Sequence, residues 1–281
     1  MSIAARPPVD DDQAAAVPGG WRRYIRILAV CWRAALAEQL EYRADLFAKA
    51  LMSAFWLAWA ALGVSVYFQF TGDVGGWSYS EVLVVVGLFF SVNGVRQAFL
   101  EPNLERLGDG VRRGTLDHLL AQPVDSQVLV SLRHVDVHNL IDPVLGLVLV
   151  SVGVVASGRP VTVGGVAASL LLGAAALVLL YALVLGLMCL SVLLVGAEEL
   201  GTVSFSVVEL SRFPVQAYRQ PLQTVLVVVP VAFLTTLPAA ALLGRLDPVW
   251  LVVSPLVALG CLVAASIGWR TVLRTYTGAS A

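Results

Sequence analysis

From residue 139 to residue 196 the sequence reads NLIDPVLGLVLVSVGVVASGRPVTVGGVAASLLLGAAALVLLYALVLGLMCLSVLLVG, and its only charged residues are Asp142 and Arg159. A run this long and this apolar leaves its backbone few options. In hydrocarbon every N–H and C=O must be paired within the protein, and a helix of about 20 residues does this for each crossing. Arg159 sits at SGRPVT, a turn between two such crossings. The rest of the chain agrees, being 58% hydrophobic and 13% charged, where a soluble domain carries about a quarter charged residues. The expected fold class is all-α, a polytopic membrane protein. The net charge of −1 gives no reason to expect nucleic acid as a partner.

Spans are expected at about 48–70, 80–100, 139–157, 165–195 and 249–269, with a sixth in the region after Gly196. That region reads in two ways. AEELGTVSFSVVELSRFPVQAYRQPLQTV could be a loop before a span at 222–243. Alternatively, 199–217 crosses, and 220–243, broken by Pro230 and Pro238, dips into the membrane and returns. Both readings total six spans. Ahead of the first span, residues 21–46 show helical spacing of apolar residues with Arg22, Arg23, Arg26, Arg33 and Arg43 between them, as expected for a basic amphipathic helix in the membrane interface. Residues 1–20 have the composition of a flexible tail, 21–275 form the membrane domain, and 276–281 form a short C-terminal tail.

Arginine and lysine set the orientation. Twelve basic residues, from Arg22 to Arg274, fall on one side of the expected spans, and only Arg159 and Arg245 fall firmly on the other. The chain is therefore expected in the cell inner (plasma) membrane with both termini and the 101–138 segment cytoplasmic.

That segment contains GVRRGTLDHLLAQPV. Gly114 can end a preceding helix, Thr115 is a good N-cap, Asp117 suits the first turn, and Pro123 limits continuation. A short helix is expected at 116–121 with Leu116, Leu119 and Leu120 on its apolar stripe. A helix of that length is not stable alone, so it must dock on something in the cytoplasm.

The run Arg112, Arg113, Gly114, Thr115, Leu116, Asp117, Leu119, Leu120 and Pro123 resembles the R-x-G-T-L/E-x-L-L-x-x-P run of type-2 ATP-binding-cassette (ABC) exporter permeases. LSRFPVQAYRQPLQTVLVVVPVAFLTTLPAAALLG is similar to the sub-group of small paired six-span permeases. The resemblance covers about 20–275; His118 and Gln122 depart from the pattern. It implies that 114–121 is a coupling helix seated on a separate ABC ATPase subunit, expected in two copies. It also implies that 22–46 is an interfacial connecting helix. Of the two readings after Gly196, it favours a fifth span at 199–217 followed by re-entrant outer helices. A second permease subunit, related to this one, would complete the path, and apolar or amphipathic compounds would be moved outward. The chain contains no G-x-x-x-x-G-K-[ST], so it is not expected to be an enzyme. ATP and Mg belong to the partner, and no cofactor is expected on this chain.

Polar residues at membrane depth are costly and mark interior or water-facing positions. Asn93, Arg96 and Gln97 share a face of the second span, and Asp142 opens the third. Their similar depth suggests an Arg96–Asp142 pair. Glu209 and Arg212 are spaced i,i+3, as a structural ion pair or a substrate-contacting one. Gly173, Ala174, Ala175, Ala176 and Gly186 suggest close helix packing along the fourth span. His134, Asp136 and His138 form HVDVH, a weak metal pattern with no further ligand nearby. Cys31, Cys189 and Cys261 read as packing residues. Two rival functions remain: a secondary transporter driven by an ion gradient, and an intramembrane lipid-modifying enzyme.

Overall fold

The computed structural model describes residues 21–41, 43–114, 125–194 and 200–275. The described residues are overwhelmingly helical. In chain order the elements are α1 (Trp21–Glu41), α2 (Arg43–Phe68), α3 (Tyr79–Val95), a π-turn (Arg96–Leu100), α4 (Glu101–Arg112), α5 (Ser126–Leu132), α6 (Ile141–Ser157), α7 (Val163–Leu193), α8 (Leu200–Glu209), α9 (Leu222–Val228), α10 (Ala232–Leu242) and α11 (Trp250–Thr275). Five helical runs are long and apolar enough to cross a membrane, and six if the bent pair α9–α10 counts as one.

α3 is apolar around its whole circumference, so it can only be central. Val82, Val84, Val85, Val86 and Phe89 are all fully buried. It packs on α2, α6 and α10, while α7 packs on α10 and α11. The approach of α3 to α6 is close enough to exclude side chains. A Cβ on Gly87 would lie 2.6 Å from Gly146 O, and one on Gly146 would lie 2.5 Å from Gly87 O. Gly94 abuts Pro143, and Gly153 abuts Ser80 in the same way. The two pairs, Gly87/Gly94 and Gly146/Gly153, each repeat at seven residues, which returns to the same helical face. The small residues of α7 behave differently. Ala175 and Ala176 are buried, but a Cβ on Gly173 or Gly186 would meet nothing within 4 Å.

The bundle has two distinct ends. At one, Glu81 of α3 forms an ion pair with Arg159 Nε through Oε1 at 2.6 Å, and its Oε2 accepts Arg245 Nη1 at 2.6 Å and the Ser78 N–H at 2.9 Å. This ties α3 to the α6–α7 turn and the α10–α11 turn. At the other end α4 packs on α7, and α5 bonds to α7 and α11. Gln127 Nε2 donates to Ser266 Oγ at 3.1 Å and to Tyr181 Oη at 3.2 Å.

Three expectations change in detail. The second span does not stop at Leu100, because Tyr79–Arg112 is one helical run of 34 residues. The amphipathic N-terminal stretch is helical over Trp21–Glu41, and helix resumes at Arg43 to continue as the first span. Residues 199–217 do not form one helix. α8 ends at Glu209, turns follow, and a 3₁₀ turn occupies Val215–Ala217, because Pro214 cannot donate the N–H a continuing helix requires.

The segment 200–217 nonetheless runs from one end of the bundle to the other. Ser204 Oγ receives Arg96 Nη1 at 3.4 Å, Arg212 lies 5.0 Å over the Phe89 ring, and Gln216 Oε1 accepts Trp77 Nε1 at 3.2 Å near Glu81. α9 and α10 then meet at 91°.

The glycine contact is testable. Gly146→Leu should overpack the α3–α6 interface and cost about 1–3 kcal/mol, whereas Gly186→Ala should be neutral or slightly stabilising. Melting of the purified variants in detergent checks both.

Candidate functional site

Pro102 shapes the site. Its ring nitrogen has no hydrogen to give to the carbonyl four residues back, and its ring crowds that carbonyl. That carbonyl, Ala98 O, instead accepts the N–H of Asp136 at 2.8 Å. The helix passes the proline through the π-turn at Arg96–Leu100, closed by Glu101 N–H to Arg96 O. In an α-helix of 3.6 residues per turn, residues five apart lie on different faces. The wider π-turn brings Arg96 and Glu101 together, with Nη1 to Oε1 at 3.0 Å. Arg96 is 1% exposed, and its Nε donates to Asn93 Oδ1 at 3.0 Å. The suggested Arg96–Asp142 pair is thus replaced by a pair within one helix.

A second clamp holds the same joint. Asn103, 1% exposed, donates from Nδ2 to Phe99 O at 2.7 Å and His134 O at 2.8 Å, and its Oδ1 accepts His134 N–H at 2.9 Å. α1 joins from outside. Trp32 Nε1 donates to Leu132 O at 2.9 Å, and Gln39 bonds both Val135 O and the Val137 N–H. α1, the α3–α4 joint and the 132–137 loop therefore form one hydrogen-bonded unit. α4 leaves it and ends at Arg112, which pairs with Asp109. Arg113 caps the helix, and Gly114 adopts φ +66°, a left-handed conformation suited to glycine. Thr115, Leu116, Asp117, Leu119 and Leu120 lie outside the described residues.

The histidines of HVDVH go separate ways. His134 Nδ1 faces Asn103 Oδ1 at 3.3 Å. His138 sits 3.3 Å from Asp136 and 3.7 Å from Asp45. Burial, aided by Arg106 and Arg133, lowers the His134 pKa from 6.5 to about 4.

Along α3–α4 and 200–218 three cavities lie in line. The first, about 400 Å³, is lined by Arg96, Gln97, Glu101, Glu105, Gly201 and Phe205, among others. The second, about 500 Å³, gathers Asn93, Gln97, Asp142, Glu209 and Arg212 with Lys49 and Trp56. The third, about 430 Å³, is mainly apolar, with Tyr67 and Tyr218 among its walls. They follow one seam of the bundle, since the contributing residues step from 105 to 82 on α4–α3 and from 201 to 218 beside it. Every polar residue singled out at membrane depth lines this seam. Arg212 Nη1 meets Glu209 Oε1 at 2.7 Å. Sequence reasoning did not single out Glu101 and Asn103. For Glu101 the available signal was Pro102, which marks a helix irregularity one residue later; Asn103 had no comparable signal.

This is a helical multi-pass membrane protein whose polar residues line a seam along the bundle. A family model described as ABC-2 family transporter protein matches residues 54–280, and the chain belongs to that family. It is thus an ABC transporter permease, a membrane component and not itself the ATPase, and membership implies an ABC ATPase partner. No curated protein and no solved structure matches the chain.

Two tests follow from the clamp. Asn103→Leu strands the His134 N–H and C=O, each an unmet bond costing about 1–3 kcal/mol. Hydrogen exchange should rise at 133–137 while α3 stays protected. The second concerns pH. A histidine whose folded pKa is depressed adds stability that is present above pH 6.5 and lost as the pH falls through about 4. Carbon NMR of the chain's three histidines should show one titrating near 4, and its signal should vanish in His134→Gln.

Proposed function

We propose that this chain is half of the membrane path of an ATP-driven ABC exporter, with the seam as its share of the wall. The observation that carries this reading is the 34-residue helix Tyr79–Arg112. At 1.5 Å per residue it is about 50 Å long, against a hydrocarbon core of about 30 Å. It thus projects well beyond the membrane and ends beside the polar segment Arg112–Leu120. In this reading 114–121 is the coupling helix docked on the ATPase. α1, bonded to the same joint, is the interfacial connecting helix, and closure of two ATPase subunits around ATP and Mg moves the clamped unit as a lever.

The seam is bounded on one side by α2, whose Phe47, Leu51, Phe55, Trp56 and Trp59 are exposed. A second, related permease would close it. The Arg112 end is cytoplasmic in this reading, by the positive-inside rule. The pair α9–α10 is re-entrant from outside. Val229 lines a small cavity with Leu180, Leu183 and Leu187 of α7, and α10 returns toward Gly165 at the Glu81 end. The cargo is apolar or amphipathic and moves outward.

The test is copurification of the tagged chain, co-expressed with its neighbouring genes and extracted in mild detergent. An ATPase should associate with the wild type. Leu119→Pro, which costs a helix about 3 kcal/mol, should release or uncouple it. Transport by the chain alone, with no ATPase, would overturn the reading in favour of a secondary transporter.

A further inference from the structure

Four carboxylates and three cations line the two polar cavities of the seam: Glu101, Glu105, Asp142 and Glu209 against Lys49, Arg96 and Arg212. Two of the pairs are internal, Arg96 with Glu101 and Arg212 with Glu209. What remains is acceptor-rich. Asp142 is 8% exposed, and its Oδ1 is buried without a hydrogen-bond partner, as is Glu209 Oε2. The matching orphan donor is Arg212 Nε, on a guanidinium already engaged by Glu209 and by the Phe89 face.

A buried carboxylate oxygen without a donor is costly. Asp142 lies in the first turn of α6, where the helix dipole favours the anion, but the dipole supplies no proton to this oxygen. Asp142 is packed against α3 at a point where a side chain on Gly94 would collide with its Cβ. Lys49 lines the same cavity from α2, and its four-carbon stem lets the ammonium reach the headgroup layer. Trp56, Phe90 and Phe205 add aromatic walls, which suit an apolar body bearing a positive charge.

We propose that the cavity at Asp142 and Glu209 binds an organic cation, an amphipathic molecule whose N–H donors meet the Asp142 and Glu209 carboxylates while its apolar part lies against Trp56, Phe90 and Phe205. The proposal rests on the permease reading and narrows its cargo class. The ammonium could belong to a lipophilic amine or to an ethanolamine lipid headgroup.

The test uses the permease–ATPase complex in nanodiscs and follows fluorescence anisotropy of rhodamine 6G, a lipophilic cation with N–H groups. Neutral Nile red and the anion anilinonaphthalene sulfonate serve as comparisons. Rhodamine 6G should bind saturably. Asp142→Asn should weaken it about tenfold or more, as expected when a buried charge loses its partner, with little change for Nile red. Equal rhodamine affinity in wild type and Asp142→Asn, or tighter binding of the sulfonate than of the cation, would overturn the proposal. If Asp142→Asn does not elute as a monodisperse complex, Glu209→Gln carries the same comparison. Phosphatidylethanolamine added to phosphatidylcholine nanodiscs should compete if the ammonium is a lipid's, and be inert if it is a free amine's. ATPase association is scored separately. A bound ATPase with no cation preference defeats the cation site alone, whereas cation binding without any ATPase defeats the coupled-permease reading alone.

Discussion

The missing hydrogen on the Pro102 nitrogen organises one whole end of this protein. It frees the Ala98 carbonyl, which the Asp136 N–H then fills, and it forces the π-turn that aligns Arg96 with Glu101. A buried backbone carbonyl must find a donor, so the 132–137 loop is held against the helix, and Asn103 fixes it a second time. α1 is bonded to that loop through Trp32 and Gln39. One local defect in a helix thus becomes the point where three separate stretches of chain are joined. For the lever proposed above, rigidity there matters, because a joint that yields would dissipate the motion that the proposal asks it to transmit.

The positions of the spans could be read from the sequence because hydropathy and helix length are both set by bilayer thickness. The polar residues at depth were also legible as a group, since a charge in such a run has to face protein or water, and the seam does collect Asn93, Gln97, Asp142, Glu209 and Arg212. Their pairing was not legible. α-helical periodicity separates Arg96 from Glu101, and only the π-turn reunites them. The glycine interface had a signal that went unread. Gly87 and Gly94, and Gly146 and Gly153, repeat at seven residues in adjacent spans, yet the conspicuous small residues of α7 drew attention to a helix whose Gly173 and Gly186 make no close approach. Composition counts small residues, whereas close packing needs them in register on two facing helices.

The region after Gly196 shows how far a pattern reaches. Pro214 and Pro230 fall at its breaks, whereas Pro238 is accommodated inside α10. Because 200–217 has contacts from Arg96 to Trp77, it traverses the bundle partly as turns. Non-helical backbone at depth is tolerated only where protein covers it, and here α10 does so. Thr236 Oγ1 accepts the Val215 N–H at 3.2 Å, and Thr235 Oγ1 donates to Ser211 O at 2.5 Å. The bent pair α9–α10 thus supplies hydrogen bonds that the broken traverse lacks.

The Glu81 cluster bears on the proposed orientation. Arg159 and Arg245, which with Arg219 count against a cytoplasmic Arg112 end, both pair with the same carboxylate at 2.6 Å. Arg245 also lies 4.7 Å over the Trp77 ring. These two charges are partly neutralised in the folded bundle; at the projecting end of α4, Arg112 pairs with Asp109, and Arg106 and Arg113 lie nearby in the chain. The positive-inside rule counts basic residues and not net charge, so this pairing explains how Arg159 and Arg245 are accommodated while the excess of basic residues stays at the α4 end. That excess agrees with the proposed orientation, in which the projecting end of α4 is cytoplasmic.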